Sequence, residues 1–420
     1  MGTQKPINRA EHYPRTNLIM TLRVRVGEFR VDDEIRTAVN RVLDRGFVSE
    51  GPETENFESA FSKYIGTKHA VAVNSGTSAL VAGLLALKAK MRSEGQNPTK
   101  VITTPLSYVA TANAIVLAGM EPVFADVDTE ALCLDPERAR EAIDDECEGD
   151  DCILLPVHLM GYVCDMDELN GIARGHGIRV FEDSSQAHGS LYKGKRAGSM
   201  SDLSSYSFYV AHNIQAGELG AVLTNDMDIV RMVRKLKANG RVCDCPVCVR
   251  GEGKCPRFGK EEQWDPRFLH DEVGYNFKTT EFSTAIANAQ IARADEIAAK
   301  RRENFVRLNT LLEKHSDTLE LPKYSEDLSY LGYPIVIRDA RTIGREQLQL
   351  RLEKHGVETR PLFGCIPLHQ PAYRQMKAKY EGTLPNASRL GSQGLYIGCH
   401  QYLTEEDLLF VSDAFDASLG

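Results

Sequence analysis

Four short segments carry side chains suited to chemistry. Asn74-Ser75-Gly76-Thr77-Ser78 follows an apolar run and opens into a helical pattern. Small residues there leave backbone N–H groups able to hold a phosphate, although a plain strand-to-helix turn capped by Ser78 would read the same. Pro105-Leu106-Ser107-Tyr108 sets an aromatic residue at a loop-to-helix junction, where Tyr108 could stack on a planar ring or pack in the core. Val180-Phe181-Glu182-Asp183 ends an apolar run on a carboxylate. Asp183 there suits a place opposite a ring nitrogen, but strand-end carboxylates also cap helices. The fourth segment runs from Ser207 to Gly220 and contains His212, whose type can exchange a proton near neutrality, with an ordinary pKa of about 6.5. For His158 and His188, also near strand ends, the commoner role is that of a hydrogen-bonded structural histidine.

A second constellation is made of sulfur. Cys243, Cys245, Cys248 and Cys255 crowd one segment, enough for a [2Fe–2S] cluster or a structural zinc. Their spacing matches neither a standard zinc knuckle nor a plant-type ferredoxin. Cys133, Cys147, Cys152, Cys164, Cys365 and Cys399 are scattered and are expected as free thiols in a reducing compartment.

The elements that must position these residues follow from periodicity. Strand-length apolar runs at 69–73, 101–104, 122–127, 153–158, 178–182 and 203–208 alternate with helical stretches at 78–90, 110–118, 166–175 and 228–238. This alternation predicts an α/β domain with a largely parallel sheet, whose ligands sit beyond the carboxyl ends of the strands. Residues 239–274, rich in Gly, Pro, Cys and charge, read as a long irregular insertion. One long helix is expected over 280–312. It is followed by a small α+β domain with a strand at 333–336 and helices at 345–355 and 405–419. The expected division is an amino-terminal arm at 1–31, a large domain at 32–290, and a linking helix with the small domain at 291–420.

The bulk numbers bound the function. The 420 residues are 42% hydrophobic with a formal net charge of −9, which predicts no nucleic-acid or anionic-membrane partner. No run approaches the roughly 18 apolar residues of a membrane span. Residues 1–23 mix Lys5, Arg9, Glu11, His12 and Arg15 and lack the apolar core of a secretory signal. A cytoplasmic enzyme is expected.

Taken together in order and spacing, the four segments resemble the DegT/DnrJ/StrS family of sugar aminotransferases, which are fold-type-I vitamin B6 enzymes. The resemblance runs from about Gly27 to the carboxyl end. It implies an aspartate-aminotransferase-like large domain with a mainly parallel sheet and a small α+β carboxyl-terminal domain. It assigns Gly76, Thr77 and Ser207 to the cofactor phosphate, Tyr108 to the face of the pyridine ring, Asp183 to its nitrogen and Gln186 to its phenolic oxygen. Gly274-Tyr275-Asn276-Phe277 resembles the stretch that reaches a neighbouring subunit, with Asn276 at that subunit's phosphate, which implies a homodimer with shared sites.

His212 stands where the aminotransferases have their cofactor-binding lysine. Histidine there resembles the pyridoxamine-phosphate-dependent branch that removes the C3 hydroxyl of NDP-4-keto-6-deoxyhexoses in deoxysugar biosynthesis. The segments 358–363 and 396–406 are similar to that branch as well. The resemblance implies a C–O lyase acting on a nucleotide sugar, with His212 as acid/base and Asp183 stabilising charge in the ring. Within the branch, the CDP-4-keto-6-deoxyglucose 3-dehydratase carries a cysteine-rich insertion, a [2Fe–2S] cluster and a flavin/iron–sulfur reductase as electron donor. This chain departs from it at Ser185, where that enzyme has a cluster ligand, so that Cys248 would complete the set. The segment 366–373, with His369, looks more like the aminotransferase version. The alternatives are a PLP-dependent, glutamate-using sugar aminotransferase with its anchor moved to Lys193, Lys195 or Lys278, and a silent homologue acting as a partner subunit.

Overall fold

Strands whose alternate residues face two different cores build the centre of the molecule. In the computed structural model, which describes residues 22–149, 151–243, 245, 265 and 268–420, the chain begins with helices α1 (Asp33–Arg45) and α2 (Pro52–Ile65). Then come β1 (His69–Val73), α3 (Gly76–Ser93), β2 (Lys100–Thr103), α4 (Ala110–Leu117), β3 (Glu121–Phe124), α5 (Pro136–Glu146), β4 (Cys152–Leu155), α6 (Met166–His176) and β5 (Arg179–Asp183). A hairpin of β6 (Leu191–Tyr192) and β7 (Lys195–Arg196) precedes β8 (Leu203–Ser207), β9 (Gly220–Thr224) and α7 (Met227–Lys237).

The seven-stranded sheet has the order β1-β9-β8-β5-β4-β2-β3. It is parallel from β8 to β3, while β9 runs antiparallel to both its neighbours. Val101, Ile153, Leu155 and Phe181 pack with α3, α4 and α7 on one face. Their chain neighbours Ile102, Leu154 and Val180 turn to the other face with α5, α6 and the carboxyl-terminal domain. That is the two-residue period of strands buried on both sides.

The remainder is α8 (Glu281–Ile291), α9 (Ala294–Leu312), β10 (Leu319–Glu320), β11 (Tyr333–Ile337), α10 (Arg345–Lys354), β12 (Thr359–Pro361), α11 (Ile366–His369), α12 (Pro385–Gln393), β13 (Gly394–Ile397) and α13 (Glu405–Leu419). Its four strands form an antiparallel sheet in the order β10-β11-β13-β12. The first described residues join it, with Val24 bridged to Val357 and the Val26 amide donating to Glu358 at 2.9 Å.

Three expectations are corrected. The single helix over 280–312 is two, interrupted at Ala292 and Arg293. Ala287 and Ile291 of α8 join the core of Phe57 and Phe61, whereas Phe305, Leu308 and Leu312 of α9 join the carboxyl-terminal core. At the break, Arg293 Nη2 reaches Asp32 Oδ2 at 2.6 Å. The strand β9 was not foreseen, because only Ala221-Val222-Leu223 is continuously apolar. Cys147 and Cys152 are not free thiols but form a disulfide across the turn from α5 to β4, with Cα atoms 5.8 Å apart. The turn folds back what looks scattered in sequence. Cys133, Cys164, Cys365 and Cys399 are free and buried.

Among the described residues no helix is long and apolar enough to cross a membrane. Cys243 and Cys245 are half-buried, while Cys248 and Cys255 lie outside the described residues.

Candidate active site

The carboxyl ends of β5 and β8 are neighbours, with Asp183 in register with Ser205. That edge is where ligands of open parallel sheets sit. Asp183 is buried and, among the described residues, receives only neutral donors. Thr111 Oγ1 donates to Oδ2 at 2.9 Å, while Ser185 donates to Oδ1 from Oγ at 2.7 Å and from its amide at 3.2 Å. Burial pushes its carboxyl above the usual range, and the Ser185 and Thr111 bonds offset part of that rise. A carboxylate in this setting fits a protonated ring nitrogen as its missing cationic partner. Ser185, at the position of an expected cluster ligand, is thus engaged by Asp183. Thr111 escaped the sequence reading, its only signal being a hydroxyl on the first turn after the Tyr108 loop.

Glu182 points away from Asp183, as successive strand residues must. It accepts from His158 Nε2 at 2.9 Å, from the Gly198 and Met200 amides at 2.7 and 2.8 Å, and from Ser201 Oγ at 2.8 Å. Burial opposes its ionisation, but the bonds from His158, Ser201 and Gly198 prevail and hold the carboxyl below the usual range.

Gly76 and Ser207 are brought into direct contact. A Cβ on Gly76 would lie 2.4 Å from Ser207 Cβ, so only glycine lets the two loops meet. Ser75 caps α3 by accepting from the Ser78 amide at 3.1 Å. The amides of Gly76 and Thr77 belong to the first turn, which has no intrahelical acceptors. A phosphate fits this cradle of helix N-terminus and hydroxyl.

Tyr108 is 61% exposed and meets Phe363 edge-on at 6.1 Å. Its loop is tied to the carboxyl-terminal domain by the Ile366 amide, which donates to the Pro105 carbonyl at 2.9 Å. Gln186 Oε1 accepts from the Met160 amide at 3.0 Å, which fixes its orientation.

The loop between β8 and β9 presents His212, which is half-buried. Its Nδ1 lies 2.6 Å from the Ser207 carbonyl oxygen. A carbonyl can only accept, so Nδ1 carries the proton and Nε2 carries the lone pair, with no hydrogen-bond partner among the described residues. Burial pushes the imidazole pKa down to about 4, against the Ser207 bond, and the charge of Arg301 acts in the same direction as burial. His188 packs 5.9 Å from it, centroid to centroid.

Other residues stand apart. Asn276 is exposed; its carbonyl accepts from Asn74 Nδ2 at 3.3 Å, beside the phosphate cradle. Lys193 sits at the tip of the β6–β7 hairpin, bound to Asp167 at 2.5 Å, and Lys195 and Lys278 are exposed. His369 is exposed, with Nδ1 accepting from the Cys365 amide at 3.2 Å.

Comparison with known proteins shows the family and the fold. The DegT/DnrJ/EryC1/StrS aminotransferase family matches residues 30–416. The lipopolysaccharide biosynthesis protein RfbH of Salmonella typhimurium is 30% identical over 397 residues, covering 92% of this chain and 89% of the relative. A dTDP-4-dehydro-2,6-dideoxy-D-glucose 3-dehydratase of Saccharopolyspora spinosa is 29% identical over 394 residues, covering 91% and 84%. The solved E. coli GDP-4-keto-6-deoxy-D-mannose-3-dehydratase with bound hydrated PLP superposes with a TM-score of 0.80 at 23% identity, covering 94% of this chain and 100% of that one. With its family pattern spanning nearly the whole chain, this protein belongs to the DegT/DnrJ/EryC1/StrS aminotransferase family and has the fold-type-I architecture of the vitamin B6 enzymes.

Proposed function

We propose that the chain is a pyridoxamine-phosphate-dependent 3-dehydratase of an NDP-4-keto-6-deoxyhexose. The single observation that carries this is the His212 imidazole, with Nδ1 tied to the Ser207 carbonyl and Nε2 without a partner among the described residues, at the position that the sequence resemblance assigns to the family's anchoring lysine. The bound cofactor would supply an electron sink and an amine able to condense with the sugar's C4 ketone. Gly76, Thr77 and Ser207 would hold its phosphate, Tyr108 would cover its ring, Gln186 would face its phenolic oxygen, and Asp183 would keep its nitrogen protonated. His212 Nε2 would serve as the base that accepts a proton from the bound adduct and as the acid that protonates the departing C3 hydroxyl. Exposed Tyr108 and Asn276 support a site completed by a second copy, in a cytoplasmic homodimer.

Cys243, Cys245, Cys248 and Cys255 are the candidate [2Fe–2S] ligands, fed by a flavin/iron–sulfur reductase. Thiolate is the right donor for such a cluster, and anaerobically purified protein is expected to hold about two iron and two acid-labile sulfide per chain. Protein without either would remove this part of the reading and leave the dehydratase standing.

Borohydride reduction with pyridoxal phosphate, followed by peptide mapping, tests the core of it. The expected result is no stoichiometric phosphopyridoxyl-lysine, with water loss from a 4-keto-6-deoxy sugar nucleotide when pyridoxamine phosphate is supplied. One fully labelled lysine would instead establish the aminotransferase alternative. A protein with neither label nor turnover would be the silent homologue.

A further inference from the structure

Segment 327–331, between β10 and β11, crosses from the carboxyl-terminal domain onto the loops that build the site. Ser329 is at its centre and has no exposed surface. Asn213, the residue after His212, donates through Nδ2 to Ser329 Oγ at 2.7 Å and to the Ser329 carbonyl at 3.1 Å. The Ser329 amide donates to Ser190 Oγ at 2.9 Å, and Ser190 in turn donates to the Gly161 carbonyl at 2.6 Å. The Leu331 amide donates to the Met160 carbonyl at 3.1 Å, and Met160 carries the amide that orients Gln186.

The approach is close. A Cβ on Gly161 would stand 2.3 Å from the Ser329 carbonyl oxygen, and Gly161 has φ +96°, so two requirements there both demand glycine.

The far side of the crossing is held by a buried cation. Arg301 of α9 has no exposed surface, and its Nη1 donates to the Tyr330 and Leu331 carbonyls at 3.1 and 2.8 Å while Nε donates to Gln401 at 3.1 Å. No carboxylate is among these partners, and Nη2 has none among the described residues. A buried guanidinium without a counter-ion is unfavourable, and its contacts here are the backbone of this one segment, Gln401 and the Cys399 thiol. Its charge also disfavours protonation of His188, His212 and His400.

We propose that Ser329, clamped by Arg301 from the carboxyl-terminal domain and bonded to Asn213 on the site side, is the positioning residue that fixes the His212 imidazole. The inference rests on reading His212 as the proton carrier. The clasp holds the residue beside His212, the Gly161 turn and the Gln186 loop in one frame. Loss of the Ser329–Asn213 bonds therefore loosens the residue beside His212, while the Leu331–Met160 bond still holds the turn that orients Gln186. Displacements on the order of an ångström are enough to lower turnover about a hundredfold.

The test uses the full-length holoprotein with Ser329→Ala, Asn213→Ala, the double variant, and Arg301→Lys beside Arg301→Gln. Expected are a roughly 10- to 100-fold fall in kcat for each single variant, with KM and pyridoxamine phosphate affinity within about twofold. The double variant should be no worse than the poorer single one, since both remove one interaction. Arg301→Lys should recover part of what Arg301→Gln loses. In ¹⁵N-histidine NMR, the His212 resonance, assigned with His212→Asn, should leave the pure Nδ1–H tautomer in the Ser329 and Asn213 variants. An unmoved resonance, or a kcat loss matched by the loss of cofactor affinity, overturns the proposal. Full turnover in His212→Asn would sink the acid/base reading itself, while the NMR shift would still report on the clasp.

Discussion

His158 and His212 follow neighbouring parts of the same sheet edge, yet their bonding differs. His158 uses both ring nitrogens: Nε2 meets Glu182 at 2.9 Å, and Nδ1 accepts from the Cys164 amide at 3.2 Å. Neither it nor Glu182 is exposed at all. Among the described residues His212 has a partner at Nδ1 only. An imidazole satisfied on both sides is part of the frame. One satisfied on a single side, in a known tautomer, has a nitrogen left for chemistry. The adjacent carboxylates divide the same way, since Glu182 is saturated by protein donors while Asp183 has only hydroxyls and an amide.

The largest expected effect follows from exchanging the two histidines' fates. His212→Asn should lower turnover about a thousandfold with melting temperature and cofactor affinity retained. His158→Ala strands a buried Glu182 and should destabilise the fold by about 3–5 kcal/mol, with the folded fraction still turning over within a few-fold. Parallel thermal melts and single-turnover rates measure both. A dead but stable His158→Ala would reverse the comparison.

Two buried histidines extend the contrast into pH. Neither nitrogen of His188 has a hydrogen-bond partner among the described residues, and His400 is met by the Arg25 backbone, which favours its protonated form but is outweighed by burial. Burial lowers the pKa of His188 well below its ordinary value and that of His400 to about 4, the charge of Arg301 adding to both. Such a group binds a proton in the unfolded chain before it does in the folded one. Stability is therefore full above about pH 6.5 and falls as the pH drops towards 4. For His400 the slope is about 1.4 kcal/mol per pH unit in that window. Urea midpoints at several pH values should show it, and His400→Gln should flatten it. An equal slope in the variant would mean that other groups carry the acid response.

What was legible in sequence depended on locality. The strand β1 and the ends of β5 and β8 follow from short apolar runs, and Asp183 and His212 stand out because they interrupt or follow such runs. The family pattern then gave Gly76 and Ser207 their partnership before their contact could be seen. Features that close only through space stayed hidden: Asn213 finds Ser329 across 116 residues, and Thr111 finds Asp183 across 72. The break between α8 and α9 is set by two different cores and by Arg293 reaching Asp32, none of which leaves a periodic mark. The Cys147–Cys152 pairing depends on how tightly a turn folds, which spacing alone does not specify.

The smallest effect probes how open Asp183 is. Its neutral donors each hold the ionised form, so Ser185→Ala and Thr111→Val should each weaken cofactor binding on the acid side by about 1 kcal/mol, roughly fivefold. Both changes remove bonds that lower the Asp183 pKa, and its carboxyl should rise further above its usual range. The sign is therefore fixed: affinity for pyridoxamine phosphate should start to fall at a higher pH in each variant as the solution is acidified, with little change at alkaline pH. Equilibrium titration by cofactor fluorescence between pH 5 and 9 would read this shift. If the acid limb stays in place while affinity drops uniformly, Ser185 and Thr111 only shape the pocket. Asp183 would then be as firmly held by the frame as Glu182 is, and the contrast between the two carboxylates would lose its chemical meaning.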